Sequence, residues 1–173
     1  MDRNKLAYSA DDAWTWHRAV HTDVEDICNL MEQYYQPEIS GIMKPNRTRM
    51  TYHLHQAILN QTYVPTSECV MLARDKATNK LVAWAWVNRG KFTSYADEEM
   101  AVAEFLHIDL ALPLRSRLKL TGQAFDLWIL WATECQIPVL CSTSIRGDQE
   151  GFMRLHDDYG FVRHGSFAYR RLV

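Results

Sequence analysis

No two of the four cysteines stand in a CxxC pair. Cys28, Cys69, Cys135 and Cys141 all fall in apolar periodic segments, which reads as buried, reduced thiols in a cytoplasmic protein rather than a disulfide framework or a zinc knuckle. Charge of either sign is not in excess. Nineteen Lys and Arg stand against twenty-one Asp and Glu, for a formal net charge of -2. That excludes a nucleic-acid binder working by bulk charge. No apolar run approaches the roughly 18 residues of a membrane span, and no N-terminal stretch reads as a signal peptide. Seven histidines are present, but none forms an HExxH pattern. His53 and His55, two apart on a helix, diverge, so no metal is expected. Repeats and low-complexity linkers are missing too.

What is there is an ordinary globular balance, 47% hydrophobic and 23% charged over 173 residues. That is enough for a sizeable core in one domain. Residues 1–12 are polar and read as an N-terminal arm, leaving 13–173 as the domain. Trp14–His21 alternates as a strand. Thr22-Asp23-Val24-Glu25 reads as a capping box, and Val24, Ile27, Cys28, Met31 and Tyr35 continue at helical spacing over 23–36. Pro37 and Gly41 end that helix. A second helix is expected over 47–60, then a loop over 61–68. Cys69–Arg74 and Leu81–Val87 flank a turn-like segment and predict a hairpin. The polar stretch 88–98 reads as a loop and Met100–Leu112 as a long strand ending at Pro113. Arg117–Glu134 is a helix, Val139–Ser142 a short strand and Asp148–Asp158 a helix. Phe161–Val173 is expected to return as strand. The order predicts an α/β fold: a mixed, mostly antiparallel sheet with helices on both faces.

Two further patterns carry more than fold class. Leu110-Ala111-Leu112-Pro113 precedes Arg117-Leu118-Lys119-Leu120-Thr121-Gly122-Gln123-Ala124. Near the C-terminus stands Leu155-His156-Asp157-Asp158-Tyr159-Gly160-Phe161. With the opening Arg18-Ala19-Val20-His21-Thr22-Asp23, these make the chain resemble the GNAT N-acetyltransferase superfamily from about residue 14 onward. In that family a strand ends in apolar-x-Pro. An Arg/Gln-x-x-Gly-x-Gly/Ala loop then opens a helix and holds the cofactor pyrophosphate on backbone N–H groups.

The resemblance implies acetyl-CoA as co-substrate and an amine as acceptor, on a small molecule, peptide or protein. It implies that the backbone of Leu110, Ala111 and Leu112 pairs with the pantetheine arm. The loop Leu118, Lys119, Leu120, Thr121 and Gly122 then holds the pyrophosphate, with charge from Arg117 and Lys119. Leu120 replaces the first glycine of the pattern, which weakens binding without excluding it. Gln149 stands where an Asn that orients the cofactor is common. His156 occupies the place of the family's Tyr, which protonates the departing thiolate, and Tyr159 is an alternative acid.

Acetyl transfer needs an amine freed of its proton, a polarised carbonyl and a thiolate that leaves. Glu104, thirteen residues before Arg117, is the first candidate base. Anchoring the pattern on Pro113 instead moves the equivalent site to Phe105, and a slip of one residue exchanges the faces of a strand. His107 and Asp109 form a second candidate pair. The Trp84/Trp86 pair reads as sheet packing. A non-catalytic reading stands beside the enzyme: a degenerate GNAT-fold structural or interaction protein, for example a phage virion or internal-virion component, with a protein partner or assembly. Under either reading no nucleic acid and no membrane are expected as partners.

Overall fold

A computed structural model describes residues 13–35, 38, 42–94, 96–144, 150–164 and 170. Strand β1 (Trp14–Arg18) is followed by helix α1 (Val24–Met31), flanked by 3-10 turns at His21–Asp23 and Glu32–Tyr34. Helix α2 (Arg47–Tyr63), strands β2 (Glu68–Asp75), β3 (Leu81–Thr93) and β4 (Ala96–Ile108), helix α3 (Leu114–Glu134), strand β5 (Val139–Ser142) and helix α4 (Glu150–Asp158) complete the described elements. The five strands lie in the order β1-β2-β3-β4-β5. The first three pairings are antiparallel and β4–β5 is parallel.

Each face of the sheet carries its own core. On one, Trp14, Trp16, Met71, Ala85, Ala101 and Ala103 pack with Leu120, Phe125, Trp128 and Trp131 of α3. On the other, Val70, Leu72 and Trp84 pack with Ile27 and Cys28 of α1 and Leu54 and Ile58 of α2. The expected mixed sheet covered on both faces is therefore the one observed. The β2–β3 turn forms where composition placed it. Asp75 Oδ1 accepts from the N–H groups of Ala77 and Thr78 and from the Thr78 hydroxyl, and Asn79 takes the left-handed conformation at φ 57.

Several boundaries differ from the sequence reading. Residues 88–98 are not a loop throughout, because β3 and β4 continue through Lys91↔Met100 to Thr93↔Ala96. Backbone pairing holds this polar arm, with no apolar face to announce it. The capping box at Thr22 is replaced by Asp23, whose Oδ2 accepts from the Val20 N–H at 2.9 Å. The first strand stops at Arg18 rather than His21. Phe161–His164 carry no regular structure, so no strand begins there. The rest of the expected return strand, the arm 1–12, and Asp148 and Gln149 lie outside the described residues.

A one-residue irregularity in β4 sets the site. Trp86 pairs with Phe105, but Val87 pairs with Ala103. Glu104 is the extra residue of a β-bulge. Before it, Ala101 and Ala103 face α3. After it, Leu106 and Ile108 face that side, while Phe105 packs on the α1–α2 side.

Candidate active site

The parallel pairing of β4 with β5 runs only from Met100↔Val139 to Ala103↔Ser142. Beyond it the strands part, and a cleft of about 530 Å³ opens between them. One wall is β4 from Ala103 to Ile108, and the other is Ser142, Thr143 and Ser144. Leu114, Arg117, Leu118 and Thr121 of α3, with Gly151, Phe152 and Leu155 of α4, line it on one side of the sheet. Tyr34 and Glu38, which follow α1 in the chain, line it as well. The cleft therefore draws on helices from both faces.

Glu104 lines this cleft at the bulge, exposed, with its Oε1 accepting from Asn88 Nδ2 at 2.9 Å. The neighbouring candidates separate. His107 is buried, with Nε2 3.2 Å from Glu38 Oε2. Asp109 turns to the Lys80 ammonium, 2.5 Å away, and to the Ala111 N–H. Burial opposes ionisation of Asp109, but these donors outweigh it and hold its carboxyl below the usual range. Asp109 thus has a structural partnership of its own, and the expected His107–Asp109 pair is replaced by His107–Glu38.

The residues expected to meet the donor lie past the end of the strand. β4 ends at Ile108, so Leu110, Ala111 and Leu112 form a turn, not a strand edge. Their N–H groups are already engaged: Leu110 to Gln33 Oε1, Ala111 to Asp109 Oδ1, Leu112 to the Asp109 carbonyl. Of the three, only Leu110 lines the cleft. Tyr34 also occupies the strand end, its hydroxyl donating to the Ile108 carbonyl and accepting from the Ile108 N–H.

The expected pyrophosphate loop is helix. α3 starts at Leu114, directly after Pro113, whose fixed φ suits a helix start. Arg117 N–H already donates to the Pro113 carbonyl at 3.1 Å. No glycine interrupts Leu114–Thr121, so local propensity carries the helix through the segment. Leu118 and Thr121 line the cleft, but Leu120 is fully buried in the core under α3. Lys119 leans over the Trp14 ring at 5.8 Å, on the β1 side. Arg117 lines the cleft, with its Nε buried and lacking a hydrogen-bond partner among the described residues. Gly122 is closely packed: a Cβ there would stand 2.5 Å from the Tyr159 hydroxyl.

The expected acids do not line the cleft. His156 is 1% exposed, ringed by Phe125, Phe152 and Phe161, with Nδ1 3.0 Å from the Phe152 carbonyl. Burial lowers its pKa from 6.5. Tyr159 packs edge-on to Phe125, and burial, with Asp126 and Asp158, pushes its phenol up. The cleft-facing positions of α4 are instead Gly151, Phe152 and Leu155, none of which carries a side-chain proton to give.

The state of His156 gives a pH prediction. Below about pH 6.5 the unfolded chain takes up a proton that the folded chain resists, so stability falls with pH. His17, also lowered by burial, adds to the same slope. His156→Phe is expected to lose less stability than the wild type between about pH 7.5 and about pH 5.5 in urea melts. Equal losses would show that His156 is not held neutral.

Tyr34, Glu38 and the end of β5 escaped the sequence reading. Tyr34 stands beside Tyr35 at a helix end, and Glu38 comes after Pro37, where the sequence reading had ended the helix. Neither has a periodicity that points at β4.

No protein-family model matches the sequence, and no curated protein sequence matches it. Solved structures do. An aminoglycoside N-acetyltransferase in complex with CoA superposes with a TM-score of 0.68 at 11% identity, covering 96% of this chain and 100% of that one. Glucosamine-6-phosphate N-acetyltransferase from Arabidopsis thaliana gives 0.66 at 8% identity, covering 94% and 100%. Aminoglycoside 6'-N-acetyltransferase from Acinetobacter baumannii gives 0.64 at 14% identity, covering 91% and 97%. The chain has the GNAT fold. At these identities the likeness speaks for the GNAT fold alone, and the chemistry has to be argued from the cleft.

Proposed function

We propose that this GNAT-fold chain is an acyl-CoA-dependent N-acyltransferase of the cytoplasm, with acetyl-CoA as donor and an amine as acceptor. The parting of β4 and β5 beyond Ala103↔Ser142 carries the reading. It opens a cleft large enough for a thioester arm, drawing on helices from both faces of the sheet. The first-turn N–H groups of α3, at Leu114, Arg115 and Ser116, have no intrahelical partner and suit an anion. Arg117 adds a cation in the wall. The amine nitrogen attacks the thioester carbonyl, the C–S bond breaks, and the thiolate leaves as CoA thiol with the proton that the nitrogen gives up. Glu104 at the bulge supplies a carboxylate beside the acceptor.

One observation favours a second reading, a non-catalytic structural or interaction domain such as a virion component bound to a protein partner. The segment expected to be an open phosphate loop is continuous helix with Leu120 locked in the core.

Titration calorimetry with acetyl-CoA separates the two. The expected dissociation constant is on the order of tens of micromolar, about -6 kcal/mol, because a helix N-terminus without a glycine loop offers fewer contacts. Arg117→Ala should weaken binding more at low salt than at high salt. No heat and no thermal shift at millimolar acetyl-CoA would decide for the non-catalytic domain. Among the described residues no helix is long and apolar enough to cross a membrane.

A further inference from the structure

The acyl-transfer reading leaves one buried imidazole unused. His107 is 3% exposed yet lines the cleft. Its ring stacks on Tyr34 with centroids 4.1 Å apart and meets Trp84 and Phe105 edge-on. Nε2 is 3.2 Å from Glu38 Oε2, while Nδ1 is buried with no hydrogen-bond partner among the described residues.

A neutral imidazole has one N–H to place. Placed on Nε2, it makes a charge-assisted bond to the Glu38 carboxylate. Placed on Nδ1, it would leave an orphaned buried donor and set a lone pair against a carboxylate, at the desolvation cost of the donor. Glu38 therefore fixes the Nε2–H tautomer, and Nδ1 presents a lone pair that no described residue satisfies. The surroundings describe the missing donor. Glu38 and Glu104 are carboxylates in the cleft wall, and Tyr34 and Phe105 are aromatic rings there. Arg117 is the only Lys or Arg among the described lining residues, and it sits on α3. Carboxylates with aromatic faces suit a cation.

The geometry points to His107 as the base for the acceptor: Glu38 holds the Nε2–H, and Nδ1 takes a proton from a primary alkylammonium seated against Tyr34 and Phe105. The proposal rests on the acyl-transfer reading for its second half. The proton passes from the ammonium to Nδ1, the freed amine attacks the thioester carbonyl, and the C–S bond breaks. As the amide forms, the nitrogen's second proton goes to the departing thiolate, giving free CoA thiol, and the imidazolium returns the first proton to water. His107 touches the substrate, and Glu38 is a positioning residue.

The charges facing His107 are few. Glu38 lies on Nε2. The Tyr34 phenol is taken by the Ile108 backbone. On β4 and just past it, Glu104 is held by Asn88 and Asp109 is paired with Lys80. Trp84 and Phe105 carry no charge.

The test uses the full chain labelled with 15N-histidine, His107 being assigned by the signal lost in His107→Gln. Two probes are added, butylammonium and butyltrimethylammonium, which share a charge and a chain but differ in N–H. The expected result is an Nε2–H tautomer whose Nδ1 signal shifts with butylammonium and not with the trimethyl probe. A proton on Nδ1, equal shifts with both probes, or none with either, overturns the proposal. Glu38→Gln, at a less buried position, should mix the tautomers, and an unchanged tautomer there counts against Glu38.

In acetyl transfer to butylamine, His107→Gln should lower kcat about 10²–10⁴-fold, with acetyl-CoA affinity unchanged. An unaltered kcat, or no transfer by the wild type, overturns the role as base. If acetyl-CoA fails to bind while butylammonium still shifts Nδ1, the acyl-transfer reading falls, taking the base with it, and the amine site stands.

Discussion

Leu120→Gly should destabilise the protein by about 3–6 kcal/mol and leave acetyl-CoA binding no tighter. On the sequence pattern alone the substitution is a repair, since it restores the first glycine of the phosphate loop. In the structure Leu120 is fully buried in the second turn of α3, in the cluster with Ala124, Phe125 and Trp128. Removing a buried leucine side chain costs about 2–5 kcal/mol. Glycine in a helix interior adds about 1 kcal/mol relative to alanine. Against a total stability of about 5–15 kcal/mol, the variant sits near its unfolding threshold. Thermal melts should show a fall on the order of 10–20 °C. An unchanged midpoint together with stronger acetyl-CoA binding would mean that the segment opens as a loop when the donor arrives.

Gln123→Leu is expected to cost about 2–6 kcal/mol by urea denaturation. The indole N–H groups of Trp14 and Trp16, two apart on β1, both donate to Gln123 Oε1, at 2.7 and 2.9 Å. All three side chains are buried. Leucine fills the space but accepts nothing, so two buried donors lose their partner at about 1–3 kcal/mol each. The control is a triple variant in which Trp14 and Trp16 are also changed to Phe. With the donors gone, the Leu should be tolerated better than in the single variant, because removing both sides of a buried bond costs less than removing one. A single variant within about 0.5 kcal/mol of wild type, the range of an ordinary surface change, would show that water reaches the indoles.

Residues 69–74 and 81–87 announced their hairpin through apolar runs around Asp75–Lys80, and α3 announced itself through Ala124, Leu127, Trp128 and Trp131. These signals are local, and the physics behind them is local too. The misses were of two kinds. In the arm formed by residues 88–98, strand order comes from backbone pairing across the β3–β4 ladder, and polar side chains leave no period to read. At Leu118–Gly122 the family pattern asked for a phosphate loop at the mouth of the helix expected from Arg117, while the residues, free of glycine as far as Thr121, continue a helix that already starts at Leu114.

The site was legible only as far as β4. Glu104 and His107 could be picked out as polar residues in an apolar strand. Their partners, Asn88 and Glu38, lie 16 and 69 residues away, and no spacing rule links them. The burial of His156 was hidden for a similar reason. Its place in the last helix suggested a proton donor, but Phe125, from α3, and Phe161, beyond the turn, complete an apolar cage that only tertiary packing reveals.

The extra residue at Glu104 makes the stretch that follows unusually sensitive to length. Phe105 and His107 face Tyr34 and Trp84 because one residue is left unmatched between Ala103 and Phe105. Substitution at Glu104 keeps that count, whatever side chain replaces it. Deletion of one codon there would straighten the ladder and rotate the remainder of β4 by half a repeat. Leu106 and Ile108 would then face α1, and His107 would be driven into the packing under α3. The strand should therefore accept exchanges of side chain over generations while rejecting single-residue insertions and deletions. In a saturation library scored for folded protein, missense variants at 104 should survive where in-frame deletions between 104 and 108 are purged.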